Sequence, residues 1–215
     1  MAQLFPKWTN KLPVILAVIT IVAASGVYGF FAYYGSPWYT DVGYQPEQPV
    51  MYSHKRHAGE YAIDCRYCHS YIEVSQEANI PPTQTCMNCH MMILAASDSL
   101  APVQASWANN NPIKWVRVHK LPEYVYFDHS VHLRAGVGCV VCHGRIDTMT
   151  VVQQAKPLSM SWCLECHRNP DPYLRPVSEI TNMTWQPSEN HAAFVAQFKK
   201  EKNIAPPEDC SACHR

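Results

Sequence analysis

All ten cysteines of this 215-residue chain fall into one pattern, two residues apart with a histidine directly after the second. The five copies are Cys65-Arg-Tyr-Cys68-His69, Cys86-Met-Asn-Cys89-His90, Cys139-Val-Val-Cys142-His143, Cys163-Leu-Glu-Cys166-His167 and Cys210-Ser-Ala-Cys213-His214. Thiols at this spacing can add to the two vinyl groups of one haem, and the adjacent imidazole then falls under the iron as its proximal ligand. A zinc half-site or a redox-active dithiol also uses C-x-x-C, but neither needs a histidine after every second cysteine. A disulfide framework would not impose that regularity either. The expectation is five covalently bound haem c groups, one per motif.

Five low-spin irons need five further axial ligands, and six histidines remain: His54, His57, His119, His129, His132 and His191. Supply roughly matches demand, which argues for electron transfer over catalysis at an open iron. His54 with His57, and His129 with His132, form two H-x-x-H pairs whose members share one face of a helical turn. Two flat haems cannot crowd one spot, so each histidine of a pair is expected to serve a different iron. His119, in "WVRVHKLPEYVYF", is the fifth choice, with a haem propionate as its alternative partner. His191 also reads as a packed histidine beside an apolar stripe. Methionine can replace histidine at one iron and raise its potential. Met160, three residues before Cys163, is the best placed, and Met92 reads better as packing.

These residues need elements to hold them. Acidic and basic side chains number 17 each, so no basic surplus suggests nucleic acid as a partner. Leu12 to Tyr34 carries no charge, and its 18 residues from Val14 to Phe31 span about 27 Å as a helix, close to one bilayer crossing. Pro13 suits the first turn of that helix. Lys7 and Lys11 precede it and the first acidic residue after it is Asp41, which places the N-terminus in the cytoplasm. Trp8 on one side, and Tyr33, Tyr34, Trp38 and Tyr39 on the other, fit interfacial aromatic belts. A cleaved signal peptide is the rival, but its apolar core is about 7–15 residues, shorter than this run. Residues 1–34 are therefore expected to be an uncleaved transmembrane anchor of the inner membrane. The cysteine-bearing part then lies on the periplasmic side, where haem attachment takes place.

Beyond the anchor, about 35 residues remain per haem, too few for a protein core of the usual kind. The expected fold is a multihaem cytochrome c, mostly irregular, with short helices wrapped around haems that themselves form the core. The 17 prolines agree with that expectation. Residues 35–50 read as an extended linker. An internal repeat follows: Tyr52-Ser-His54-Lys-Arg-His57 before Cys65, and Phe127-Asp-His129-Ser-Val-His132 before Cys139. It divides the rest into two modules, 51–112 with two haems and 113–215 with three. The clearest other helix is Ser188 to Lys202, capped by Ser188, with Ala192, Val195 and Phe198 as its apolar stripe.

The aromatic-x-His-x-x-His segment ahead of C-x-x-C-H resembles multihaem cytochromes of the class III and c7 type. That resemblance implies His54 for the haem at Cys65 and Cys68, and His129 for the haem at Cys139 and Cys142. His57 and His132 would reach neighbouring haems. The whole arrangement, with "VRVHKLPEYVYFDHSVHLRAGVGCVVCHG" and "SMSWCLECHRNPDPYLRP", resembles the pentahaem cytochrome c subunit of alternative complex III. It implies a part in a quinol:electron acceptor oxidoreductase. Polysulfide-reductase-type membrane subunits would oxidise quinol, an iron–sulfur subunit would pass electrons to this chain, and a monohaem cytochrome c subunit or a soluble cytochrome or blue copper protein would accept them. Such a chain carries electrons and has no catalytic residue of its own. Gly26, Gly29, Ala23, Ala24 and Ser25 would let partner helices approach its anchor. The alternative is a stand-alone membrane-anchored quinol dehydrogenase of the small multihaem class. A pentahaem nitrite reductase is disfavoured because its marker, a lysine replacing the motif histidine, is absent from all five motifs. The denatured chain should carry the mass of five haems; a lower count by mass spectrometry would refute the reading.

Overall fold

The computed structural model describes residues 4–36 and 39–214; Trp38, expected in an aromatic belt, lies outside the described residues. The chain divides into two units, Met1–Thr40 and Asp41–Arg215.

In the first unit a short 3-10 turn, Lys7–Lys11, leads into helix α1, Leu12–Tyr34. Nothing in this run opposes a helix, and Pro13 sits in the first turn, where its missing N–H costs no bond. Its 23 residues extend about 34 Å, enough to cross a hydrocarbon core of about 30 Å. None of its apolar side chains is buried, so α1 has the length and composition of a membrane span. Phe30, Tyr34 and Tyr39 pack as a small aromatic ladder, with ring centres 4.5 and 4.7 Å apart.

The second unit has no sheet among the described residues, only the isolated bridges Val125–His214 and Val137–Leu174. It is built from eight short helices: α2 (Cys65–Cys68), α3 (Thr83–His90), α4 (Ala101–Ala108), α5 (His129–Arg134), α6 (Cys139–His143), α7 (Met160–Arg168), α8 (His191–Lys202) and α9 (Cys210–Cys213). Local chemistry starts several of them. The Asp64 carboxylate accepts from the Arg66 N–H, Asp128 from Ser130, Asp209 from Ala212, and the Ser159 hydroxyl from Trp162. These are N-caps of the kind that let a single turn persist. Gly136 and Gly144, at φ +79° and +63°, turn the chain away after α5 and α6.

Eight apolar residues are buried in the whole described chain: Val50, Met87, Val103, Leu133, Leu174, Ile180, Val195 and Phe198. That is far below what a protein core needs for a unit of this length, as the sequence implies. Val50, Met87 and Val103 cluster beneath Leu100, Ile113 and Trp115. From Asp41 onward the segment expected to be a linker is pinned. Gly43 donates to the Gln154 carbonyl, Gln154 donates back to Tyr44, and the Gln48 amide brackets the backbone of Val116.

Helix α8 departs from expectation. It begins at His191 behind Asn190, and no side chain caps it; Ser188 contributes its carbonyl to the His191 N–H instead. Val195 and Phe198 are buried as expected, but Ala192 is exposed, and Phe194 takes its place by stacking on Phe198 at 5.1 Å. The lysines at its end do find a partner, since Lys199 Nζ reaches Asp171 at 2.6 Å.

Gly136 closes the turn between α5 and α6. A Cβ there would strike the Arg175 carbonyl oxygen and lie 2.8 Å from the Phe198 ring, on a backbone that favours glycine. Gly136→Ala should destabilise the haem-loaded protein by about 2 kcal/mol or more; denaturant unfolding showing a loss under about 0.5 kcal/mol would contradict this packing.

Candidate haem site

Each C-x-x-C segment is wound into one helical turn, in α2, α3, α6, α7 and α9. Residues three apart in a helix share a face, so both thiols of a motif point the same way and its histidine follows at the end of the turn. No cysteine is in a disulfide. Among the described residues no three or more His, Cys, Asp or Glu side chains gather as a protein-only metal site would require.

The histidines are arranged in facing pairs. His57 and His90 have ring centres 6.1 Å apart, His132 and His167 6.2 Å, and His129 and His143 6.4 Å with the planes within 11° of parallel. His54 is half-buried within electrostatic reach of His69. Two imidazoles sharing one iron through Nε2 have centres about 6 Å apart, from two metal–nitrogen bonds of about 2 Å plus the two ring radii. Packed directly, rings come closer: His119 and His143 are centred 4.4 Å apart.

The other ring nitrogens point to the same conclusion. Nδ1 lies against a backbone carbonyl at His57 (Ser53, 2.9 Å), His69 (Asn79, 2.7 Å), His90 (Ile93, 2.9 Å), His129 (Gln76, 2.8 Å), His132 (Asp128, 2.8 Å), His167 (Pro207, 2.6 Å) and His214 (Tyr124, 3.3 Å). A carbonyl can only accept, so each Nδ1 carries the proton and donates it. Nε2 is thereby left with its lone pair for a metal, the usual arrangement of a ligating histidine. Burial drives the His143 pKa down to about 3, helped by His119 and His129, and that of His54 to about 4, helped by His69 and His57. Burial likewise lowers His132. These rings are neutral at physiological pH, as ligands must be. His54 is the exception in hydrogen bonding, its buried Nδ1 having no partner among the described residues.

The two copies of the sequence repeat match in their ring contacts, although the first is wound as a π-helix, Lys55–Glu60, and the second as α5. Tyr52 stacks on His57 at 4.5 Å and meets His54 edge-on at 4.8 Å; Phe127 lies 4.5 Å from His132 and meets His129 edge-on at 4.7 Å. The aromatic residue two places before each pair thus holds both of its histidines. The remaining sequence choices lie elsewhere. His119 Nε2 sits 3.3 Å from Nδ1 of His143, a motif histidine. His191 reverses the pattern, with Nε2 3.2 Å from the Asp171 carbonyl oxygen and its ring against Trp185 and Phe194. Met160 opens α7 and Met92 follows α3, both exposed. The ring next to His214 among the described residues is Tyr124, centred 5.7 Å away.

The motifs also meet one another. The Cys65 and Cys139 thiols interact directly, which lowers the pKa of Cys65 and raises that of Cys139. Burial raises the Cys68 thiol, with Cys86 adding to the effect. It raises Cys142, with Cys166 and Cys163 adding, and Cys163, with Cys213 adding. The first motif therefore neighbours the second and the third, the third neighbours the fourth, and the fourth neighbours the fifth.

Donors, spacing and tautomers fit covalently bound haem c. Comparison with known proteins agrees. Residues 125–215 match the family model of cytochrome c7 and related cytochrome c. This part of the chain is a cytochrome c7-like multihaem domain, within a helical, sheet-free unit that follows one apolar helix. A 100-residue stretch is also 33% identical to the multihaem cytochrome c subunit of a menaquinone reductase from Nitratidesulfovibrio vulgaris (Hildenborough), covering 46% of this chain and 47% of that one. The chain thus spans about half the length of the curated relative it matches.

Proposed function

We propose that this chain is a membrane-anchored, five-haem conduit passing single electrons between quinone-linked membrane subunits and a redox partner on the periplasmic side. The observation that carries the reading is that every attachment motif neighbours another, with histidine pairs at iron-bridging separation among them. Haem c, when bound at a motif, supplies a one-electron carrier.

The chain's own residues hold and insulate these carriers. Cys65, Cys68, Cys86, Cys89, Cys139, Cys142, Cys163, Cys166, Cys210 and Cys213 form the thioethers, and His69, His90, His143, His167 and His214 are the proximal ligands. His54 faces the first motif, His57 the second, His129 the third and His132 the fourth. For the fifth, Met160 and His191 remain as candidates, Met160 lying one turn before Cys163, whose thiol neighbours Cys213. Cys89, Cys163 and Cys210 are exposed, so the second, fourth and fifth motifs are where partners can exchange electrons. The central residues Ser130 and Leu133 are buried.

Helix α1 anchors this assembly with its N-terminus in the cytoplasm and docks against partner helices. One helix cannot enclose a quinone, so quinone chemistry belongs to partner subunits of the polysulfide-reductase and iron–sulfur kinds. In the preferred reading, quinol is oxidised there, as in alternative complex III, and electrons leave through a monohaem cytochrome, a soluble cytochrome or a blue copper protein. The likeness to a menaquinone reductase subunit favours a second reading, in which the same chain carries electrons from a periplasmic donor toward menaquinone. A conduit works in either direction, and the driving force decides. Two experiments test these assignments. A quinol analogue should reduce the haems in the purified membrane complex within seconds but leave the separated chain oxidised; reduction of the separated chain at the same rate would place a quinone site on this chain. In His129→Ala, one of five haems should become high-spin by EPR while four stay low-spin. Five unchanged low-spin signals would refute the ligand pairing.

A further inference from the structure

Seven of the histidines in this unit direct Nδ1 at a backbone carbonyl, but His143 does not. Its Nδ1 lies 3.3 Å from Nε2 of His119, with the two rings at 78° to each other. His119 comes from the irregular segment before the second repeat copy, 24 residues upstream, and is half-buried. His143 belongs to the third motif, where the two modules join: Cys139 of that motif touches Cys65 of the first, and His129 hangs its backbone N–H and its Nδ1 on the Gln76 carbonyl.

Resting on the reading that Cys139, Cys142 and His143 hold a haem, we propose that His119 is not an axial ligand but the positioning residue of His143, and that it sets the central haem's potential apart from those of its neighbours. If Nε2 of His143 binds iron, its Nδ1 bears the proton and donates to Nε2 of His119, whose own proton then resides on Nδ1. At 4.4 Å between ring centres the two imidazoles are in contact, with no room for an iron between them. An imidazole nitrogen is a more basic acceptor than an amide carbonyl. It draws the Nδ1 proton further from His143, makes that ring a stronger donor to iron, and stabilises the ferric state. The motif at the junction therefore has a stronger-donating proximal ligand than the motifs whose histidines rest on carbonyls.

The test uses the full-length haem-loaded protein and its His119→Ala and His119→Gln variants. Redox titration followed by absorbance and EPR reads all five haems. In His119→Ala all haems should remain low-spin, while one of the five midpoints moves upward and one set of EPR g-values changes. In His119→Gln, whose amide oxygen can accept the same proton, that midpoint should return most of the way. A new high-spin haem in His119→Ala would make His119 an axial ligand and overturn the proposal. Five unchanged midpoints, or one moved downward, would overturn it as well. Peptide mapping of the wild-type protein separates this from failure of the underlying reading: a peptide containing Cys139 and Cys142 without a haem adduct would remove the site itself.

Discussion

An imidazole can offer iron one nitrogen only while the other holds its proton, and most of this structure follows from where that second proton is sent. In seven histidines it goes to a main-chain carbonyl between 2.6 and 3.3 Å away. The carbonyl belongs to the preceding turn for His57 and His132, and to a distant segment for His129 and His167. The local bonds rotate a ring; the distant ones also tie segments together, so ligand orientation and chain folding are one problem. The Gln76 carbonyl, which receives both His129 donors, fixes the second repeat copy onto the first module.

The same constraint explains why so irregular a chain can be ordered. Its helices are short, and eight buried apolar side chains cannot by themselves hold a unit of this size. In the proposed reading order comes from covalent and coordinate attachment to haem instead, with capped single turns as seats. The Asp64, Asp128, Ser159 and Asp209 caps each secure a turn that would be marginal alone.

The repeat is preserved at the level of ring contacts. Tyr52 and Phe127 each hold one histidine of their pair edge-on and the other face-to-face or tilted, at matching distances. The hydroxyl is therefore not needed for this clamping; the flat apolar face is. The two rings of each pair face different motif histidines, His57 facing His90, His129 facing His143 and His132 facing His167. In the proposed reading His57 and His132 serve the second and fourth motifs, tying neighbouring motifs together within each copy.

From the sequence alone the chemistry was plain, because C-x-x-C-H is a local motif whose spacing is set by the haem it receives. The apolar run of α1 and the duplicated aromatic-x-His-x-x-His were equally legible, each needing only a few consecutive residues. The acceptors at Asn79, Ile93, Gln76 and Pro207 were not, because every residue has a carbonyl and composition does not distinguish one from another. Nor were the start of α8 at His191, the contact of Cys65 with Cys139, or the side of His143 on which His119 lies. Those depend on where segments many residues apart come to rest, and only the folded chain decides that.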